Sequence, residues 1–240
     1  MAKLFYQEKI QISKEMLNEN GNLTNHAILH LFQDVAGVHA AQLKIDYIEL
    51  NKRNLMWVVV RNRHQVFQSP KCGETVLVST WPHPNKRLDF DREYRIESLH
   101  GDIYIQGDSK WCILDKIQKR MVMVKDLLPV DSEYVEIHNF STPLVQINVK
   151  GTLNEKTWTF QVNKNQIDQN NHLNNTEYAS MIDQCLKDLN VQASLFEINF
   201  VKETKLNQIL EFKYYEDNEN LYFEGYVEGN LHVKVKVICQ

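Results

Sequence analysis

Residues 26–43 read HAILHLFQDVAGVHAAQL, and the spacing of the apolar residues in this stretch indicates a helix. They recur at the i, i+3, i+4 and i+7 positions of one helix face and comprise Ile28, Leu31, Phe32, Val35, Val38 and Ala41. Runs rich in β-branched and aromatic residues follow, and turn residues separate them. One long helix followed by a meander of strands is typical of an α+β fold with an antiparallel sheet.

The same order of elements is predicted twice along the chain. In the first half, strands are predicted at residues 4–12, 55–60, 74–81, 88–97 and 102–114. Residues 127–151 lose periodicity, contain Pro129 and Pro143, and are predicted to form a linker. The second half is predicted to contain a strand at 157–162, a polar turn at 163–171, a helix with an apolar stripe from Tyr178 to Leu189 that includes Cys185, and strands at 195–201, 209–215, 221–227 and 231–238.

Two such halves indicate one duplicated unit, in which a sheet wraps a helix. Asn25-His26 before the first helix resembles Asn171-His172 before the second, and residues 67–74 match residues 201–208 in position. We therefore expect two domains, at residues 1–135 and 150–240.

The composition is that of an ordinary folded protein. Of 240 residues, 43% are hydrophobic and 24% are charged, and the formal charge of 27 − 31 = −4 gives no indication of a nucleic-acid partner. No apolar stretch approaches roughly 18 residues and the N-terminus lacks a signal-peptide core, so we expect no membrane association. The cysteines are far apart, which argues against zinc or disulfide frameworks and favours the cytoplasm. Without a P-loop, a G-x-G-x-x-G motif or a His/Cys cluster, no cofactor and no metal are expected.

The densest polar segment, DQNNHLNN at residues 168–175, directly precedes the second helix. In an extended backbone every second side chain points to the same side, and these positions are occupied by Asp168, Asn170 and His172. An acid, an amide and an imidazole would then meet at a helix N-terminus, whose free N–H groups suit a developing oxyanion. Capping by Asn174 or Asn175 is the structural alternative.

Glu203 is a further candidate, because it falls near the end of a strand that is expected to run beside the second helix. It could act as a general base that activates water or orients the asparagine and histidine. A solvated carboxylate at a strand end is the alternative, and the residues alone favour it.

The motif D-x-N-x-H-x-N-N-x-x-Y is matched by Asp168, Asn170, His172, Asn174, Asn175 and Tyr178. Together with residues 54–61, 73–81 and 109–120, it resembles the acyl-acyl carrier protein (acyl-ACP) thioesterases of bacteria and plants. This resemblance covers nearly the whole chain. It implies two tandem hotdog domains, each a long helix wrapped by an antiparallel sheet, and hydrolysis that releases free fatty acids and ends chain elongation.

The resemblance also implies roles for the site residues. Asn170 and the helix amides would hold the thioester carbonyl, and His172 would polarise it or protonate the leaving thiolate. Glu203 would be the base for water, and Asp168 would orient the network or share that role. Plant members have a cysteine after the carboxylate, where this chain has Thr204, so we interpret the cysteine as dispensable.

The first half is expected to be non-catalytic, because it keeps His26 but has nothing like Asp168-x-Asn170, and Ser69 and Pro70 replace Glu203 and Thr204. In the family this half supplies the acyl-chain pocket. Its substrate contacts are expected among Met56, Trp57 and Val58, for which simple core packing is the alternative.

The implied partner is the acyl carrier protein, which is strongly acidic and carries the acyl group on phosphopantetheine. Its contact is expected at Lys116, Lys119 and Arg120, with further basic residues at Lys86, Arg87 and Lys125, although such residues are often merely solvated. An acyl-CoA thioesterase, a non-catalytic acyl-binding protein and a homodimer all remain open.

Overall fold

The computed structural model describes residues 4–84, 87–123, 127–128, 132–218 and 220–239. The first half contains helices α1 (Asn25–Gln42) and α2 (Tyr47–Asn51) and strands β1 (Tyr6–Gln11), β2 (Leu55–Val66), β3 (Thr75–Pro82), β4 (Phe90–Glu97), β5 (Ile103–Asp115) and β6 (Arg120–Val122). The second half contains helix α3 (Asn175–Leu189) and strands β7 (Thr152–Gln161), β8 (Ala193–Phe200), β9 (Ile209–Asp217), β10 (Asn220–Val227) and β11 (Asn230–Cys239).

The strands form one antiparallel sheet, in the order β1-β3-β4-β5-β2-β8-β11-β10-β9-β7, with β6 added beside β5. Counted outward from the centre of the sheet, the first half has the order β2-β5-β4-β3-β1 and the second half has the order β8-β11-β10-β9-β7. The strands at each position are equivalent in chain order within their halves, which confirms the predicted duplication. The halves join where β2 pairs with β8, from Arg61 opposite Asn199 to Gln65 opposite Leu195.

Helices α1 and α3 pack against each other and against the sheet. One continuous core contains buried residues from both helices and from strands of both halves, including Phe32 of α1, Ile182 of α3 and Phe196 of β8. The predicted stripe of α1 is partly wrong, because Val38 and Ala41 are exposed while His39 is buried. The α+β architecture is confirmed. In the described part of the chain, we find no helix that could cross a membrane.

The segment 132–151 has no helix and no named strand among its residues, as expected of a linker, yet it is firmly attached to the sheet. The Arg63 guanidinium donates to the Thr142 carbonyl at 2.9 Å and pairs with Asp108 at 2.6 Å. The indole of Trp81 donates to the carbonyl of Ile137, and the Ile147 N–H donates to the side chain of Asn199 at 2.6 Å. The domain limits at residues 135 and 150 stay a prediction.

Candidate active site

The polar segment before α3 forms a tight turn. The Asp168 N–H donates to the His172 carbonyl at 2.8 Å, and Asn171 adopts a left-handed conformation with φ 63°. Asparagine tolerates this region better than most residues. The extended backbone expected for this segment is therefore wrong, since the turn closes on itself.

The Asp168 carboxylate holds the turn together. One oxygen accepts hydrogen bonds from the backbone N–H of Asn170 at 2.8 Å and of His172 at 3.1 Å, and the other accepts from the Asn170 side-chain amide at 3.3 Å. This carboxylate thus fixes the backbone of both neighbouring candidates.

Glu203 lies in the loop after β8, and this loop approaches the turn. The His172 Nε2 is 3.6 Å from a Glu203 carboxylate oxygen, and the Glu203 side chain is about half exposed. Lys205 Nζ is 3.9 Å from the same oxygen. The two residues that were predicted from separate parts of the sequence are therefore neighbours.

Thr204 ties the Glu203 loop to the turn before α3. It is fully buried, and its hydroxyl accepts from the Tyr178 phenol at 2.8 Å and lies 2.7 Å from His232 Nδ1. Its carbonyl accepts from the Leu173 N–H at 2.7 Å. Burial raises the pKa of Tyr178 to about 12, so the phenol keeps its proton and donates. Thr204 therefore has a structural role and no solvent-facing hydroxyl.

A cavity of about 460 Å³ leads from the first half to this turn. At one end it is lined by Asp168, Asn170, Asn174 and Asn175. Most of its remaining wall comes from α1, α2 and strands of the first half, with a large apolar part made by Ile45, Trp57, Phe90, Trp111, Leu127 and Leu128. Glu203 borders a smaller neighbouring cleft of about 200 Å³, together with Lys202, Lys205 and His232.

Of the three predicted substrate contacts, Trp57 lines the cavity and donates its indole N–H to the Ile45 carbonyl at 2.7 Å. Successive side chains of a strand face opposite sides of the sheet. Accordingly, Met56 and Val58 are not among the described residues that line the cavity.

The predicted carrier contacts lie on the surface at the β5–β6 hairpin. Lys119 and Arg120 are exposed, while Lys116 donates to the Asn51 side chain at 2.7 Å and lies 5.0 Å above the Tyr47 ring. Lys86 and Lys125 lie outside the described residues.

The N-terminus of α3 is open towards the cavity. Asn174, one of the two residues predicted to cap this helix, is the N-cap, and its side chain accepts from the Thr176 N–H at 3.1 Å. Among the described residues, the Asn175 N–H has no acceptor, and Asn175 lines the cavity together with Gln33 of α1. A free N–H at a helix N-terminus can stabilise an oxyanion.

The N-terminus of α1 is instead occupied by a carboxylate from α3. Asp183 accepts from the backbone N–H of Asn25 at 3.2 Å and of His26 at 3.0 Å, and from the Asn25 side chain at 2.6 Å. The Asn25 side-chain oxygen in turn lies 2.8 Å from Nε2 of the buried His64. This network was not predicted from the sequence, because an isolated aspartate in a helix carries no motif.

The structure also corrects the alignment of the halves. Because α1 begins at Asn25 and α3 at Asn175, the first-half counterpart of His172 is Asn22, while His26 lies inside α1. Asn18 stands in the place of Asp168, and its side chain accepts from the backbone N–H of Asn20 and Asn22, both at 3.0 Å. The first half therefore does contain a structural counterpart of Asp168-x-Asn170, at Asn18-x-Asn20, and the expectation that it has none is wrong.

Solved structures share this double fold. An acyl-ACP thioesterase from Bacteroides thetaiotaomicron superposes with a TM-score of 0.87 at 22% identity, covering 98% of each chain. The 12:0-ACP thioesterase from Umbellularia californica superposes with a TM-score of 0.84 at 17% identity, covering 100% of this chain and 98% of that one. The fold is thus that of the double-hotdog thioesterases, as predicted.

The family model for the acyl-ACP thioesterase N-terminal domain matches residues 3–129, and the chain belongs to this family. A chloroplastic acyl-[acyl-carrier-protein] hydrolase, FATB3 of Cuphea viscosissima, is 24% identical over 190 residues, which are 74% of this chain and 46% of that protein. Oleoyl-acyl carrier protein thioesterase 1 of Arabidopsis thaliana is 25% identical over 139 residues, which are 55% of this chain and 38% of that protein. The chain thus spans less than half the length of these relatives.

Proposed function

We propose that this chain is a thioester hydrolase that releases free fatty acids from fatty acyl-ACP, and that it acts in the cytoplasm. The observation that carries the proposal is the cavity whose apolar part lies in the first half and whose other end is lined by Asp168, Asn170 and Asn175. An acyl chain fits the apolar part, and its thioester then meets polar groups at a helix N-terminus.

In the proposed reaction, Glu203 removes a proton from water as the water oxygen attacks the thioester carbonyl carbon. The Asn170 side chain and the Asn175 N–H hold the developing oxyanion. The tetrahedral intermediate then expels the thiolate, which takes a proton from His172. The proton held by Glu203 returns to His172, whose Nε2 lies 3.6 Å from the Glu203 carboxylate. Asp168 orients Asn170 and His172 through their backbone N–H groups, so it is a positioning residue. Thr204 holds the loop, which supports the interpretation that a cysteine there is dispensable.

The test follows free thiol release from a panel of acyl-ACPs and acyl-CoAs, with Glu203→Ala as the control. The proposal expects rapid release from acyl-ACP that this substitution abolishes. Release from acyl-CoA alone would indicate the alternative carrier. No release by the folded protein, with stoichiometric acyl binding, would indicate a binding protein and contradict the proposal.

The carrier contact is proposed at Lys116, Lys119 and Arg120. The combined changes Lys119→Glu and Arg120→Glu should raise KM for acyl-ACP at low salt, and the increase should shrink as salt screens the charges. An unchanged KM at low salt would remove this part of the proposal.

A further inference from the structure

Arg92 brings a positive charge into the wall of the cavity. It lies on β4 between Phe90 and Tyr94, which share its side of the strand. Phe90 belongs to the apolar part of the cavity, whereas Tyr94 is buried and stacks on Phe32 of α1 at 4.5 Å between ring centroids. The guanidinium of Arg92 therefore lies between the packed core and the apolar part of the cavity.

The bonding partners of Arg92 are neutral. Its Nη1 donates to the Thr80 hydroxyl at 3.1 Å and lies 3.2 Å from His39 Nδ1. Burial, together with the Arg92 charge, lowers the pKa of His39 to about 4, so His39 is uncharged at neutral pH and Nδ1 accepts. Burial also lowers the pKa of Arg92, but a guanidinium stays protonated in proteins.

Among the described residues, no carboxylate forms an ion pair with Arg92, and its Nε and Nη2 have no hydrogen-bond acceptor. A partly buried cation without an anion is costly unless something else accepts its hydrogen bonds. A plain hydrocarbon chain that fills the cavity would displace water from this guanidinium and offer no acceptor in return. An oxygen on the chain would supply one.

The position of Arg92 separates it from the reacting carbonyl. Gln33 lines the cavity with Asn174 and Asn175, and His39, the partner of Arg92, is further along the same helix. A rise of about 1.5 Å per residue places His39 about 9 Å along the α1 axis from Gln33. A group that meets Arg92 is therefore well along the acyl chain.

We propose that the cavity selects acyl chains that carry an oxygen function along the chain or at its end, and that Arg92 binds this oxygen. A hydroxyl, a keto group and a terminal carboxylate share the required acceptor chemistry. The proposal deepens the proposed function, because it names the class of acyl group that the same site takes.

The test uses amide analogues of acyl-pantetheine, in which NH replaces the thioester sulfur, so that binding is measured without turnover. Analogues of one chain length carry a plain chain, a hydroxyl, a keto group or a terminal carboxylate. Calorimetry and the fluorescence of Trp57 and Trp111, which line the cavity, report binding. We expect at least one oxygenated analogue to bind about tenfold more tightly than the plain one.

Arg92→Met should remove this preference, and Arg92→Lys should keep only part of it, because a lysine lacks the planar fork of donors. Arg95→Met is the matched control. Arg95 lies on the same strand, bonds Asn139 of the segment 132–151 and does not line the cavity, so its loss should leave the preference unchanged. Circular dichroism and thermal melting verify that each variant is folded.

The proposal is overturned if the plain analogue binds the unmodified protein as tightly as every oxygenated one, if folded Arg92→Met keeps the preference, or if no analogue binds. A protein that prefers oxygenated analogues but releases no thiol contradicts the proposed function alone. A protein that hydrolyses acyl-ACP but binds the plain analogue best contradicts this inference alone.

Discussion

The two turns that precede α1 and α3 have nearly the same backbone and different chemistry. In both, a side-chain oxygen at the first position accepts two backbone N–H groups, from Asn18 in the first half and from Asp168 in the second. The residue with a left-handed backbone conformation is Gly21 in the turn before α1 and Asn171 in the turn before α3. The amide of Asn18 shows that a neutral oxygen suffices to hold this turn. The charge of Asp168 is therefore more than the turn requires.

The N-termini of α1 and α3, which follow these turns, differ more strongly than the turns do. Asp183 fills the N-terminus of α1, whereas Gln33 occupies the matching position on α1 and leaves the N-terminus of α3 open to the cavity. In our proposal, a few substitutions on one duplicated scaffold separate a half that supplies packing and a pocket from a half that holds the reacting carbonyl.

The largest expected effect is at Glu203. Glu203→Gln keeps the shape of the side chain but removes the base, so kcat for thiol release should fall by about 10²–10⁴-fold. Ser69 lies at the matching place in the first half, and its hydroxyl accepts from the Leu23 N–H at 2.7 Å. Ser69→Ala is thus the paired control and should leave kcat unchanged. Equal loss in both variants would mean that the halves do not differ in function as described.

Next in size is the stability contribution of Asp183. Burial raises its pKa to about 6, above about 3.9 in an unfolded chain. The folded state therefore binds the proton more tightly, and this group lowers the free energy of unfolding by up to about 3 kcal/mol in total as pH rises from below 4 to above 6. Asp183→Asn does not titrate. The free energy of unfolding of each protein is measured with denaturant at several pH values. The value for the unmodified protein minus the value for Asp183→Asn should fall as pH rises across this range.

The difference in unfolding free energy between the two proteins is needed because other buried groups titrate in or near the same pH range. Asp108 also has a pKa raised by burial to about 6, while burial lowers the pKa of His39 to about 4 and of His64 to about 3. These groups are common to both proteins. A difference that stays flat, or rises, between pH 4 and 6 would contradict the described state of Asp183.

A smaller effect is expected at Asp168. Because Asn18 holds the same turn with an amide, Asp168→Asn should leave the melting temperature nearly unchanged and lower kcat by about tenfold through loss of charge beside the site. Asn18→Ala should have the opposite effect: the free energy of unfolding should fall by about 1 kcal/mol, and kcat should stay unchanged. Full activity in Asp168→Asn would show that the charge has no part in the reaction.

The smallest effect on turnover is expected at Thr204. Thr204→Ala leaves the buried Tyr178 and His232 without a partner and should cost about 1–3 kcal/mol of unfolding free energy. Thr204→Cys keeps a weak donor and acceptor at that position. Folded Thr204→Cys should retain kcat within a few-fold, as measured by thiol release. A large gain in kcat would instead favour a nucleophile at this position.

Much of the fold was predictable because its signals are periodic. The helix predicted at residues 26–43 is α1, and most predicted strands shift by only a few residues. Helix α2 was missed since its sequence YIELN is too short to show a period. Strand β2 continues to Val66, beyond the predicted end at residue 60, because Arg61 and Asn62 are polar but pair with strands on both sides at the centre of the sheet.

Candidate site residues could be proposed from the sequence, but their geometry could not. Asp168, Asn170 and His172 form a motif, but the tight turn depends on Asn171, whose left-handed backbone has no unique sequence signal. The counterpart at Asn18 was overlooked because a run of asparagine and glycine indicates a turn whatever its role. Asp183 and Arg92 act through tertiary contacts, which no local pattern reveals.

The central claim is that the N-terminus of α3, and not that of α1, receives the thioester. A crystal structure with a non-hydrolysable acyl-pantetheine amide tests it most directly. We predict that the amide carbonyl oxygen lies within hydrogen-bond distance of Asn170 or the Asn175 N–H, with the acyl chain in the cavity beside Trp57. A carbonyl bound instead at the turn of Asn18, or an acyl chain outside this cavity, would contradict the account.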